Sequence, residues 1–103
     1  LGKFEDAERS YRKVIEIKPD YAEGHSNLGN ILKDLGKFED AEMSYRKAIE
    51  IKPDYAEAYF NLGILLRILG KFKDAKLCSE KIMSLRSWSI LGSYSFNAEM
   101  KLD

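Results

Sequence analysis

The chain is poor in the residues from which catalytic and secreted proteins are commonly built. Cys78 is its one cysteine and His25 its one histidine. A single cysteine excludes an intramolecular disulfide framework and a cysteine-based zinc site, and one histidine without partners does not make a metal site. Charge of neither sign is in excess, with 17 Lys and Arg against 17 Asp and Glu. Residues 1–34 carry 6 basic and 7 acidic groups, residues 35–68 carry 5 and 6, and residues 69–103 carry 6 and 4. That balance is far from the basic surplus of a nucleic-acid footprint, so no nucleic-acid partner is expected. No apolar run approaches the roughly 18 residues of a membrane span, and no signal peptide is visible. No membrane partner is expected, and the default location is cytoplasmic. A Gly-rich phosphate loop, a carboxylate dyad and a nucleophile elbow are all missing from the sequence. The expectation is a protein that is not an enzyme and needs no cofactor.

What the chain does have is a period. Residues 1–34 and 35–68 align without a gap and are identical at 25 of 34 positions, and LGKFKDA at Leu69 opens a third copy that then drifts. A fixed period of this size is the signature of a stacked-repeat architecture. The chain begins at Leu1, inside a repeat and without Met, which reads as a piece of a longer array.

Within each period the pattern is two amphipathic helices. Phe4, Ala7, Tyr11 and Val14 or Ile15 recur at spacings of three and four, with the aliphatic stem of Lys18 extending the stripe. Glu5/Arg9 and Glu8/Arg12 stand at i,i+4 in the favourable order. Pro19 ends this helix, since proline cannot continue one and disfavours helical geometry in the residue before it. Asp20 and Glu23 have the spacing of a capping box for a second helix from about Tyr21 to Leu35. Gly36 follows as a C-terminal cap, and the cycle repeats through Pro53, Asp54, Gly70 and Lys71. Helices of about 14 residues, roughly 21 Å long, joined by short turns must pack antiparallel. Gly29 and Gly63 each cost about 1 kcal/mol against alanine inside a helix, so close helix–helix approach is expected there, with Ala41 and Ala75 as the small residues opposite. Leu28, Leu32, Leu62 and Leu66 are the expected seam.

These residues carry a resemblance. His25-x₂-Leu28-Gly29-x₂-Leu32, Ala41-x₃-Tyr45, Ala48 and Pro53 form one copy of a pattern that resembles the tetratricopeptide repeat, TPR. The next copy reads Tyr59-x₂-Leu62-Gly63-x₂-Leu66 and Ala75-x₃-Ser79, with Ile82 and Ser87 where Ala48 and Pro53 stood. The resemblance covers residues 1 to about 86. It implies an all-α fold of antiparallel helix hairpins stacked as a right-handed TPR solenoid. Residues 1–21 would be the second helix of a truncated repeat, 22–55 a repeat, and 56–89 a repeat degenerate at its end. Residues 90–103 would be a C-terminal capping helix or tail: Trp88-x₂-Leu91-Gly92 arrives five residues before the period calls for it. The alternation after Ser93 is also strand-like, but Leu91, Tyr94, Ala98 and Leu102 fit a helical stripe, and repeat arrays end in atypical capping helices.

Residues that suggest chemistry have simpler explanations. Cys78 aligns with Ser10 and Ser44 and has no base near it to activate a nucleophile. His25 aligns with Tyr59 at an aromatic packing position. Glu5, Asp6, Glu39 and Asp40 suit helix N-termini, and Lys71, Lys73, Lys76 and Lys81 read as a solvated face.

In TPR proteins the first helices line a concave groove that takes extended peptides. The corresponding positions here are Glu23, Ser26, Asn27, Asn30, Lys33 and Asp34, then Glu57, Phe60, Asn61, Ile64, Arg67 and Ile68. Asn27 and Asn61 lie one repeat apart, and a side-chain amide can donate to and accept from a peptide backbone at once. Phe60 and Ile64 suggest an apolar stretch, and Lys33 and Arg67 supply charge. Asn27, Asn30, Lys33, Phe60, Asn61, Ile64 and Arg67 are therefore the candidate partner-binding residues. The resemblance also offers a two-carboxylate clamp built from Lys, Asn, Asn, Lys and Arg. Asn30 and Asn61 match its asparagines, but Ser26 replaces the first Lys and the last two cations have no counterparts, so desolvating a carboxylate would go uncompensated.

The resulting expectation is a non-catalytic protein–protein interaction module that binds an extended peptide or partner protein. The alternative is a substrate-recruiting or spacer arm of a larger enzyme, as in TPR arrays joined to glycosyltransferase, sulfotransferase or oxygenase domains. Helical-hairpin repeats that read RNA are disfavoured by the Leu-Gly, Ala and Pro pattern and the zero net charge. The first helix leaves Ala7, Tyr11 and Val14 partly uncovered, so the fragment is expected to self-associate end to end.

Overall fold

The computed structural model describes residues 2–86, and within them the chain is all-α. Four helices have defined limits: α1 Lys3–Ile17, α2 Ala22–Asp34, α3 Phe38–Ile51 and α4 Ala56–Ile68. A fifth, α5, covers residues 72–86. The expected capping helix at 90–103 and the Trp88-Leu91-Gly92 motif lie outside the described residues.

α1 touches α2, α2 touches α3, α3 touches α4, and α2 also touches α4, while α5 joins the core through Ala75 and Cys78. The odd helices therefore flank a layer made by α2 and α4. The seam between them is the expected one: Leu28, Leu32, Ala41, Tyr45, Leu62, Leu66 and Ala75 are buried in one cluster, joined by Leu65 and Cys78. Fully burying a leucine contributes roughly 1.5–3 kcal/mol, so this seam outweighs the surface charge pairs. α1 buries no residue completely; Phe4, Val14 and Ile17 remain exposed, while Tyr11 and Ile15 pack half-buried against the core.

The turns after α2 and α4 are alike. Gly36 and Gly70 take left-handed backbone, φ 77° and 76°. Gly36 N–H donates to the Lys33 carbonyl at 2.9 Å and Lys37 N–H to that of Leu32 at 2.8 Å, the paired bonds of a Schellman cap. Gly70 and Lys71 repeat this with Arg67 and Leu66.

Three local expectations are corrected. The Asp20–Glu23 capping box does not form: the N-cap is Tyr21, without a side-chain cap bond. Tyr21 N–H closes a turn onto the Lys18 carbonyl at 3.2 Å, which starts α2 one residue late and leaves Asp20 outside the cap. Lys18 instead lays its ammonium 5.4 Å from the Tyr21 ring centroid, as Lys52 does over Tyr55 at 4.9 Å. Arg9 pairs with Asp6, one turn back on the same helix, rather than with Glu5. Gly29 faces the ring of Tyr45, not Ala41: a Cβ added there would lie 2.7 Å from Cε1.

Lys71 is not merely solvated. Its Nζ lies 2.9 Å from Glu42, and Lys37 makes the same 2.9 Å bridge to Glu8, one period earlier. Arg12 and Arg46 complete the two clusters from i,i+4 positions. Each bridge ties a repeat to the next. Both carboxyls sit below their ordinary value of 4.5. For Glu8 the Lys37 and Arg12 hydrogen bonds dominate. For Glu42 burial raises the value, but Lys71 and Arg46 together outweigh it.

Candidate functional site

The candidate residues sit on α2 and α4. On α2, Asn27, Asn30 and Lys33 are half-buried; on α4, Asn61 and Ile64 are half-buried, and Phe60 and Arg67 are exposed. Residues spaced by three share one helix face, so Asn27, Asn30 and Lys33 fall on one face of α2 and Asn61, Ile64 and Arg67 on one face of α4. Asn27 and Asn61 make no side-chain hydrogen bond among the described residues. Lys33 and Arg67 have no carboxylate within bridging distance among them.

Two groove assignments change. Ser26 is 2% exposed. It belongs to the packing between repeats and not to the groove surface. Asn30 is partly committed elsewhere: the buried Tyr45 hydroxyl donates to its Oδ1 at 2.5 Å. Burial first, and then nearby Asp34, push the Tyr45 phenol well above its ordinary value, so it stays a neutral donor. The amide NH₂ of Asn30 and one lone pair of its Oδ1 remain to meet a partner.

The second unit is built differently. Ser79 stands where Tyr45 stands, and Ile64 where Asn30 stands. Among the described residues no ring covers Gly63; a Cβ added there would find Cys78 Cβ at 3.4 Å and the Ala75 carbonyl at 3.9 Å. The result is a cavity of about 80 Å³ bordered by Phe60, Gly63, Ile64, Arg67, Ser79 and Ile82. Three candidate residues, Phe60, Ile64 and Arg67, thus converge on one feature. Ser79 and Ile82 were not among the candidates; the break in the Ala-x₃-aromatic pattern at Ser79 was the available signal.

The other reactive groups are structural. His25 is buried, and its Nε2–H donates to the Pro19 carbonyl at 2.8 Å. Cys78 is buried in the core cluster, and burial pushes its thiol up, which disfavours the reactive thiolate. Among the described residues no cluster of His, Cys, Asp or Glu could hold a metal, and no helix is long and apolar enough to cross a membrane.

Family models decide the classification. The "TPR repeat" model matches residues 1–36 and 29–70, and a "Tetratricopeptide repeat" model matches residues 56–87. The chain belongs to the TPR family. No curated protein sequence matches it significantly. Solved structures are similar in fold. The second TPR of Spaghetti (RPAP3) bound to HSP90 peptide SRMEEVD is 28% identical, with a TM-score of 0.77 over 82% of this chain and 78% of that one. The TPR2B domain of yeast Sti1, in a pHsp70 complex, is 22% identical, with a TM-score of 0.80 over 96% and 79%. MamA is 23% identical, with a TM-score of 0.82 over 85% of this chain and 52% of that one. These likenesses fix an all-α TPR helical-repeat fold.

Proposed function

We propose that this TPR segment is a non-catalytic interaction module that holds an extended peptide, or an extended stretch of a partner protein, along α2 and α4. The observation that carries this reading is the pair Asn27 and Asn61. Each is half-buried one repeat from the other, and each has an amide free of side-chain partners among the described residues. Two such amides can hold backbone N–H and carbonyl groups with little regard to sequence. Lys33 and Arg67 add positive charge that no carboxylate bridges among the described residues. That a similar TPR domain holds an HSP90 peptide supports a peptide as the ligand class.

The mode of binding proposed here differs from a two-carboxylate clamp. The place of the clamp's first lysine is taken by the buried Ser26, and one of its asparagines, Asn30, already accepts from Tyr45. Backbone contacts, rather than a desolvated pair of carboxylates, are the main source of affinity. Replacing Asn27 and Asn61 together with Ala is expected to weaken a peptide selected from a random library at least about tenfold, or about 1.4 kcal/mol. Titration calorimetry on the double variant measures this, and unchanged affinity would remove the basis of the reading.

A further inference from the structure

The sequence copies differ in a way that links two positions. In the first unit a tyrosine ring lies on Gly29 and its hydroxyl is received by Asn30. In the second unit the ring has become Ser79 and its acceptor has become Ile64. Losing the tyrosine alone would leave a polar acceptor facing an empty space. Losing both leaves a space walled mainly by Phe60, Ile64 and Ile82, with Arg67 and Ser79 as its polar edge. The Ser79 hydroxyl does not make this space wet, because it donates back to the Ala75 carbonyl at 3.4 Å. A water there would have few partners, and a cavity of that kind is better filled by an apolar group. At the rim, Arg67 reaches only the Ser79 oxygen, at 3.5 Å. It has no carboxylate in bridging range among the described residues.

We propose that the space beside Gly63 is a side-chain pocket of the peptide groove. It takes a branched aliphatic side chain of the bound peptide, with Arg67 pairing to an Asp or Glu adjacent to that residue. The volume of about 80 Å³ is several times the roughly 10–15 Å³ that a single water needs, which leaves room for a branched aliphatic group. With no carboxylate in bridging range of Arg67 among the described residues, its guanidinium favours a negative neighbour. The first unit offers no such anchor point, because Tyr45 fills the corresponding space. A bound peptide is thereby read at one place and held by its backbone elsewhere. This inference rests on the peptide-binding reading above and specifies its sequence preference.

The test restores the side chains of the first unit. Random peptides displayed on phage are selected against the whole 103-residue chain, and the binders are measured against Ser79→Tyr/Ile64→Asn. That variant supplies the ring over a glycine that already lacks Cβ, together with the acceptor for its hydroxyl. The expected result is enrichment of an aliphatic residue next to an acidic one. Affinity should fall about tenfold in the variant, with an undiminished Tm, and a similar loss should follow replacement of the peptide's aliphatic residue by alanine. Ser79→Leu fills the same space if the double variant does not fold. Peptides that bind the filled variants as tightly as the parent would overturn the pocket, while the Asn27/Asn61 reading would stand if those peptides still lose affinity in Asn27→Ala/Asn61→Ala. A chain that selects no peptide at all overturns both.

Discussion

The hairpins α2–α3 and α4–α5 share a spacing but not an interior. In the first, the ring of Tyr45 is wholly buried on Gly29 and its hydroxyl is satisfied by Asn30. In the second, Ser79 leaves Gly63 without a covering ring among the described residues, and a cavity opens beside it. The same glycine therefore answers a steric demand in one unit and answers none in the other. A repeat position that has lost its packing partner is free to serve a ligand.

The largest effect should come from imposing the second arrangement on the first. Tyr45→Ser removes a buried ring and strands the Asn30 acceptor, and is expected to cost about 3–5 kcal/mol in chemical denaturation. A loss under about 1 kcal/mol would mean that the seam leucines alone carry the first unit. A smaller effect belongs to the bridge between units. Glu42→Gln should cost about 0.5–1 kcal/mol near neutral pH, since Lys71 and Arg46 are half-exposed. The acid limb gives the sharper reading. Because the folded carboxyl lies below 4.5, its contribution is present above that pH and is lost as pH falls through the lower folded value. The variant should therefore show a shallower loss of stability below about pH 4.5 than the parent. The smallest effect concerns α1, where Phe4, Val14 and Ile17 remain exposed. Light scattering at high concentration should detect self-association that Val14→Ser/Ile17→Ser weakens; a parent chain that stays monomeric would remove this expectation.

Much of the helical framework could be read directly from residue spacing. Pro19 and Pro53 end helices, Gly36 and Gly70 cap them, and the leucines recur on one face, all from local geometry that a single chain displays. The errors lie where the outcome depends on a third element. Whether Asp20 or Tyr21 caps α2 is decided by a turn onto Lys18. Which side chain meets Gly29 is decided by how far α3 slides along α2, and the answer was Tyr45 rather than Ala41. The bridges from Glu8 to Lys37 and from Glu42 to Lys71 join groups 29 residues apart, so helix periodicity is blind to them. At the candidate site, the proposal of Asn27 and Asn61 rests on their period. The cavity could be read only by treating two departures from that period, Ser79 and Ile64, as one event. Ser26 was misread because helix spacing alone does not show that its side chain is buried.

The contrast between the two interiors is tested most directly by the same substitution at both glycines. In a helix interior, alanine is favoured over glycine by about 1 kcal/mol. At Gly29 the new methyl would lie 2.7 to 3.1 Å from three atoms of a buried, hydrogen-bonded ring, and such overpacking costs about 1–3 kcal/mol. At Gly63 it would meet Cys78 Cβ at 3.4 Å, an ordinary contact, on the edge of open space. Equilibrium urea unfolding of Gly29→Ala and Gly63→Ala should therefore give changes of opposite sign, the first destabilised and the second stabilised by up to about 1 kcal/mol. Equal destabilisation of both would contradict an open second unit.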